Sequence, residues 1–115
     1  MSIEKNVLSG NISMLVLKLL EEKDMYGYQI IEELLLKSEN VFQLKTGTLY
    51  PLLHGLENND MVASYDELAG NQRMRRYYRI TNKGRNHLLK KQADWEQYSE
   101  AVSRVIKGGA GYALA

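Results

Sequence analysis

Between Lys45 and Glu57 the chain reads Lys-Thr-Gly-Thr-Leu-Tyr-Pro-Leu-Leu-His-Gly-Leu-Glu, and no other stretch restricts the possible folds as much. Leu49, Leu52, Leu53 and Leu56 recur at helical spacing and make one apolar stripe. Thr48, Tyr50 and His54 take the opposite face, with Lys45 at its start and no acid before Glu57. Thr46 or Thr48 is expected to cap this helix, since either hydroxyl can accept a bond from a free backbone N–H. Pro51 is expected early enough in the helix that its missing N–H costs little. Such a stretch is either a helix that presents a hydrogen-bonding face to a partner or an ordinary half-buried helix, and the flanking segments decide between them.

Ahead of it, residues 7–22 read as a first helix with a wide apolar face built from Leu8, Ile12, Leu15 and Leu19. Glu21-Glu22-Lys23-Asp24 closes it, and Met25-Tyr26-Gly27-Tyr28 is expected to open a second helix that carries Ile30, Ile31, Leu34 and Leu35. Residues 41–44, Val-Phe-Gln-Leu, are too few for a helix and hold a β-branched and an aromatic residue, which predicts a short strand. Behind the central helix, residues 61–68 and 74–81 read as two strands around a polar turn at Ala69-Gly70-Asn71-Gln72. In the second, Tyr78 and Ile80 alternate with Tyr77 and Arg79, the period of a strand with one covered face. A short amphipathic helix that follows another helix and precedes a projecting hairpin is the order of a winged helix-turn-helix. Lys45, Thr46, Thr48, Tyr50, Pro51 and His54 would then face DNA. Arg73, Arg75, Arg76 and Tyr77, at the base of the hairpin, would meet phosphates, which fix register and affinity more than sequence.

The last helix is capped by Thr81-Asn82-Lys83-Gly84 and runs to about residue 107. At 1.5 Å per residue it is about 39 Å long, more than a small domain needs for its own core. Leu88, Trp95 and Val102 share one heptad position and Tyr98 and Val105 another, although Lys91 interrupts the seam. Either this seam packs on the chain's own first helix, or a two-fold dimer buries it, with Leu8, Ile12 and Leu15 of the first helix contributing; the dimer is the simpler resolution. The expected fold class is mainly α with a small β-hairpin. Residues 1–81 form a winged helix-turn-helix domain, 82–107 a dimerisation helix and 108–115 a flexible tail.

Charge supports this division. The net charge is only +1, but Arg73, Arg75, Arg76, Arg79, Lys83, Arg85, Lys90 and Lys91 lie in one run without an acid. A near-neutral chain with one basic block is electrically polarised, as a nucleic-acid binder with a single docking face would be. With no Cys, thiolate chemistry and disulfides are excluded. No run is long and apolar enough to span a membrane and the N-terminus lacks a signal-peptide pattern, so a cytoplasmic protein is expected. No Gly-rich phosphate loop or nucleophile–His–acid set is present, which argues against an enzyme. No metal or other cofactor is expected, as His54 and His87 are remote in sequence.

With these elements placed, the chain resembles the PadR family of bacterial transcriptional regulators. Tyr26-Gly27-Tyr28-Gln29-Ile30 looks like the family's Tyr-Gly-Tyr-Glu-Ile segment, with Gln for Glu. Gly47-Thr48-Leu49-Tyr50-Pro51-Leu52-Leu53 is similar to its recognition-helix signature, and Arg75-Arg76-Tyr77-Tyr78-Arg79-Ile80-Thr81 with Gly84 to its wing strand and following turn. Trp95 sits where the family usually has a tryptophan, and the single C-terminal helix resembles its compact subgroup. The wing tip departs from the pattern, with Asn71-Gln72 where Gly and Pro are commoner. The resemblance implies a homodimeric repressor that binds double-stranded DNA at a palindromic operator and is released by a small planar aromatic ligand. It implies that Trp95 is the effector-binding residue. Two indoles at a dimer axis can hold a ring between them or simply pack together, and Glu96 and Glu100 could add charge for a cation. The competing expectation is a winged-helix protein–protein interaction module that never touches DNA.

Overall fold

The computed structural model describes residues 11–108. Its elements, in chain order, are α1 (Ile12–Glu22), β1 (Met25–Tyr26), α2 (Gly27–Lys37), α3 (Thr46–Asn58), β2 (Val62–Leu68), β3 (Met74–Ile80) and α4 (Asn82–Ile106). The strands form one antiparallel sheet in the order β1-β3-β2. The expected first-helix residues 7–10, including Leu8, lie outside the described residues, as does the tail beyond Gly108.

Apolar periodicity places the core. Val16, Leu17 and Leu20 of α1, Ile30 and Leu34 of α2, and Leu49, Leu53 and Leu56 of α3 converge on Val62, Tyr78 and Ile80 of the sheet. Each such Leu or Ile, taken fully out of water, contributes about 1.5–3 kcal/mol. Leu88 of α4 is wholly buried in the same cluster. Beyond it α4 leaves the body of the domain, and the molecule measures 62 × 31 × 21 Å.

Three local expectations are corrected. Residues 41–45 form no strand, because the Val41 N–H bonds the Ser38 carbonyl and the Phe42 N–H bonds Ser38 Oγ at the end of α2. The apolar character there anchors a connection, with Leu44 buried and Phe42 packed on the core. The missing strand is instead Met25–Tyr26, expected as helix, which pairs with Tyr78 and Tyr77 of β3. Gln29 then accepts the Tyr26 N–H at 3.1 Å, the return bond of a capping box, which Gln makes as readily as Glu. Finally, neither Thr46 nor Thr48 caps α3; Lys45 holds the cap position without a side-chain bond, and Thr46 is already helical. Pro51 is the sixth helical residue, past the free N–H groups of the first turn, so its ring removes a bond to the Gly47 carbonyl.

Helix ends are fixed by backbone geometry. After α2 the N–H of Glu39 reaches the Leu36 carbonyl and that of Asn40 the Leu35 carbonyl. After α3, Asp60 and Met61 bond Glu57 and Leu56 in the same way. Both are Schellman motifs, with the left-handed residue an acid, Glu39 at φ 53° and Asp60 at φ 60°. Thr81 caps α4 as expected, its hydroxyl accepting the Gly84 N–H at 3.0 Å and donating to the Asp60 carbonyl at 2.6 Å.

Candidate nucleic-acid interface

The stripe of α3 behaves as its spacing requires. Leu49, Leu53 and Leu56 are buried and Leu52 half-buried, which turns Thr48, Pro51 and His54 outward with Lys45 at the start. Tyr50 differs from the other outer-face residues. It is half-buried, and its ring lies over the start of α2, occupying the space that a side chain at Gly27 would need.

The hairpin projects beside this face. Its turn is closed by bonds from the Gln72 N–H to the Ala69 carbonyl and from the Ala69 N–H to the Arg73 carbonyl. Asn71 Oδ1 accepts the Arg73 N–H, and Gln72 takes a left-handed φ of 64°. This is the path that the Asn71-Gln72 substitution leaves for the wing tip. The register sets Glu67 opposite Arg75 and Asp66 opposite Arg76, so the wing carries both signs of charge.

On the sheet face turned away from the core, the rings of Tyr26, Tyr77 and Tyr65 form a row. Tyr26 meets Tyr77 edge-on at 5.4 Å and Tyr65 stacks on Tyr77 at 5.7 Å. Arg75 lies over Tyr26. Tyr65 donates its hydroxyl to Asp24 at 2.6 Å, and this bond, more than burial, pushes the phenol up to about 12. On the core-facing side Arg76 reaches Ser64 and Glu57. Neither the tyrosine row nor the Glu57–Ser64 pair was expected from sequence. Cross-strand register is the signal that would have found both, since it sets Tyr26 and Tyr65 on either side of Tyr77.

The remaining basic residues lie apart from the wing, on α4. Arg85 stands 4.0 Å from Glu21 of α1, and Lys90 pairs along its own helix with Asp94 at 3.9 Å. The basic run of the sequence is therefore two groups with different surroundings, and only the hairpin group adjoins α3.

Behind α3 opens a groove of about 720 Å³ between α1, α3 and α4. Met14, Leu52 and Gly55 form part of its lining, with His87, Lys91 and Trp95 on the α4 side. Trp95 is 41% exposed and its ring sits 6.2 Å from that of Tyr98. The acid at this groove is Asp94, whereas Glu96 and Glu100 take no part in its lining. Of the expected seam, Tyr98, Val102 and Val105 line or border open surface, while Ile12 and Leu88 are already buried in their own chain and Leu15 is half-buried. His54 and His87 are not brought together, and no group of three His, Asp or Glu suited to a metal exists among the described residues. None of the described helices is long and apolar enough to cross a membrane.

Residues 16–90 match the model of the transcriptional regulator PadR-like family. Protein X of Lysinibacillus sphaericus, itself uncharacterised, is 30% identical over 106 residues, spanning 92% of this chain and 97% of that one. Among solved structures, a transcriptional regulator from Clostridium thermocellum is 31% identical, with a TM-score of 0.81 over 89% of this chain and 96% of its own. A PadR family transcriptional regulator from Eggerthella lenta is also 31% identical, with a TM-score of 0.74 over 88% of this chain and 86% of its own.

Proposed function

This chain belongs to the PadR-like family of transcriptional regulators, and from that premise we propose that it is a homodimeric repressor whose α3 helices read a palindromic operator. The observation that carries this reading is the outer face of α3: Lys45, Thr48, Pro51 and His54 stand exposed beside a projecting hairpin with Arg73 and Arg75 at its base. Thr48 and His54 offer bonds to base edges or phosphates, and Thr46 and Lys45 adjoin the helix start, where backbone N–H groups favour an anion. The two reading helices of a dimer would enter successive major grooves about 34–36 Å apart.

The dimer uses α4. Trp95, Tyr98, Val102 and Val105 leave an apolar strip in water that a second copy would cover. The effector, a small planar aromatic molecule, binds against Trp95, in a groove whose opposite wall is the back of α3. A ligand there shifts the equilibrium between DNA-competent and released arrangements by its difference in affinity for the two, and about 1–3 kcal/mol of coupling suffices.

The test is a salt titration of DNA affinity, followed by fluorescence anisotropy on a labelled duplex, with sedimentation to establish the dimer. A dimer neutralising roughly six to ten phosphates loses about three to five orders of magnitude between 50 and 200 mM salt. Affinity absent at low salt would refute DNA binding and leave the protein-interaction module.

A further inference from the structure

Arg75 and Arg76 are adjacent in the chain, yet the pleat of β3 sends them to opposite faces of the sheet. Arg75 lies on aromatic rings, its guanidinium carbon 5.1 Å from the centre of the Tyr26 ring and 5.9 Å from that of Tyr28. Stacking uses the flat of a guanidinium and leaves its edge N–H groups available for a phosphate. Although Glu67 is its cross-strand neighbour, Arg75 closes no ion pair among the described residues.

Arg76 is differently placed. Its Nη2 donates to Ser64 Oγ at 2.8 Å and stands 3.5 Å from Glu57 Oε2. Ser64 Oγ in turn donates to the same Glu57 oxygen at 2.5 Å. Glu57 belongs to α3, Ser64 to β2 and Arg76 to β3, so one triangle of side chains joins the reading helix to both strands of the hairpin. The buried phenol of Tyr78 lies next to it, raised by burial and partly held down by the charge of Arg76.

We infer that Arg76 is a positioning residue that sets the wing's angle to the recognition helix through Glu57 and Ser64, whereas Arg75 is the cation of this pair that grips the DNA backbone. The inference rests on the DNA-binding reading above. It follows from charge: a carboxylate at 3.5 Å offsets most of the pull of Arg76 on a phosphate. Were Arg76 drawn away to DNA, Glu57 would be left to repel the same backbone.

The two roles give Glu57→Gln opposite signs. If Arg76 contacts phosphate, removing the neighbouring anion tightens binding; if Arg76 is a strut, removing its anchor weakens it. The probe is a duplex of about 30 base pairs, enough for two half-sites, enriched by the wild-type protein from a randomised library. A scrambled duplex of the same composition is the control. Glu57→Gln and Arg76→Gln are each expected to weaken the enriched duplex roughly three- to fivefold, and the double variant no more than either single one. Binding to the scrambled duplex is expected to hold. The slope of log affinity against log salt should stay unchanged for Arg76→Gln and become shallower by about 0.9 for Arg75→Gln. Affinity that rises or stays level in Glu57→Gln, or a flattened slope in Arg76→Gln, would overturn the inference while leaving DNA binding intact. A wild-type protein that binds neither duplex at low salt would overturn both.

Discussion

The phenol of Tyr50 occupies the place that a β-carbon on Gly27 would need: built on that backbone, the carbon falls 2.7 Å from Tyr50 Cζ. The glycine of the Tyr-Gly-Tyr segment and the tyrosine of the recognition helix are thus two halves of one contact. It sets how closely α2 and α3 cross.

Gly27→Ala is expected to destabilise the fold by about 1–3 kcal/mol through overpacking, read as a lower denaturation midpoint. Combined with Tyr50→Leu, which removes the obstructing ring, the loss should be smaller than the sum of the two single changes. Strict additivity would show that the two residues do not share this space.

Stability should fall at alkaline pH with a definite sign. Tyr65 is pushed up to about 12, chiefly by its bond to Asp24, and Tyr78 is raised, chiefly by burial. An unfolded tyrosine ionises near 10. The stability these groups contribute is therefore complete below about pH 10 and is lost as pH rises toward the higher folded values. Tyr65→Phe should remove part of this loss in denaturant melts. Phenolate absorbance should show these two tyrosines ionising after the others.

Gln72 holds a left-handed backbone at the wing turn, which costs an ordinary residue roughly 1–2 kcal/mol. Part of that is returned by the greater unfolded freedom of glycine, so Gln72→Gly should stabilise the chain by up to about 1 kcal/mol. A destabilised variant would mean that the turn has another geometry.

Leu88 and Val105 separate folding from association. Leu88→Ala empties a fully buried site and should cost about 2–5 kcal/mol at any protein concentration. Val105 is 80% exposed, so Val105→Asp should leave the core intact and shift sedimentation from dimer to monomer. Undisturbed association would place the dimer contact elsewhere.

Trp95→Ala should weaken binding of planar aromatic compounds by roughly tenfold, the worth of a good aromatic or cation–π contact. DNA affinity should change less than about twofold. Calorimetry is the readout, since the chain has a single tryptophan and the substitution abolishes the fluorescence signal.

Most of the fold is written in periodicity. The stripe Leu49, Leu53 and Leu56 and the alternation of Tyr78 and Ile80 each reached the core as their spacing requires. Residues 25–26 and 41–44 were misread because both are short and apolar, and pairing, not composition, decides which becomes a strand. Met25 and Tyr26 found the free edge of β3; Val41 and Phe42 gave their N–H groups to the end of α2. The division between Arg75 and Arg76 was illegible for a related reason. One-dimensional order shows two neighbouring cations, and only the partner strand and α3 show that they face different surroundings.

Thr81 ties the carbonyls of Asp60 and Met61, just past α3, to the first turn of α4. Mechanically this is a fulcrum placed at one end of a rod of 25 residues, about 37 Å long. A swing of about five degrees at such a joint carries the far tip through roughly 3 Å. Run in reverse, a displacement of a few ångströms imposed at the tip is geared down to a small, forceful rotation at the foot of the DNA-reading element. Loosening the joint by Thr81→Val would therefore let the arm swing without turning the head.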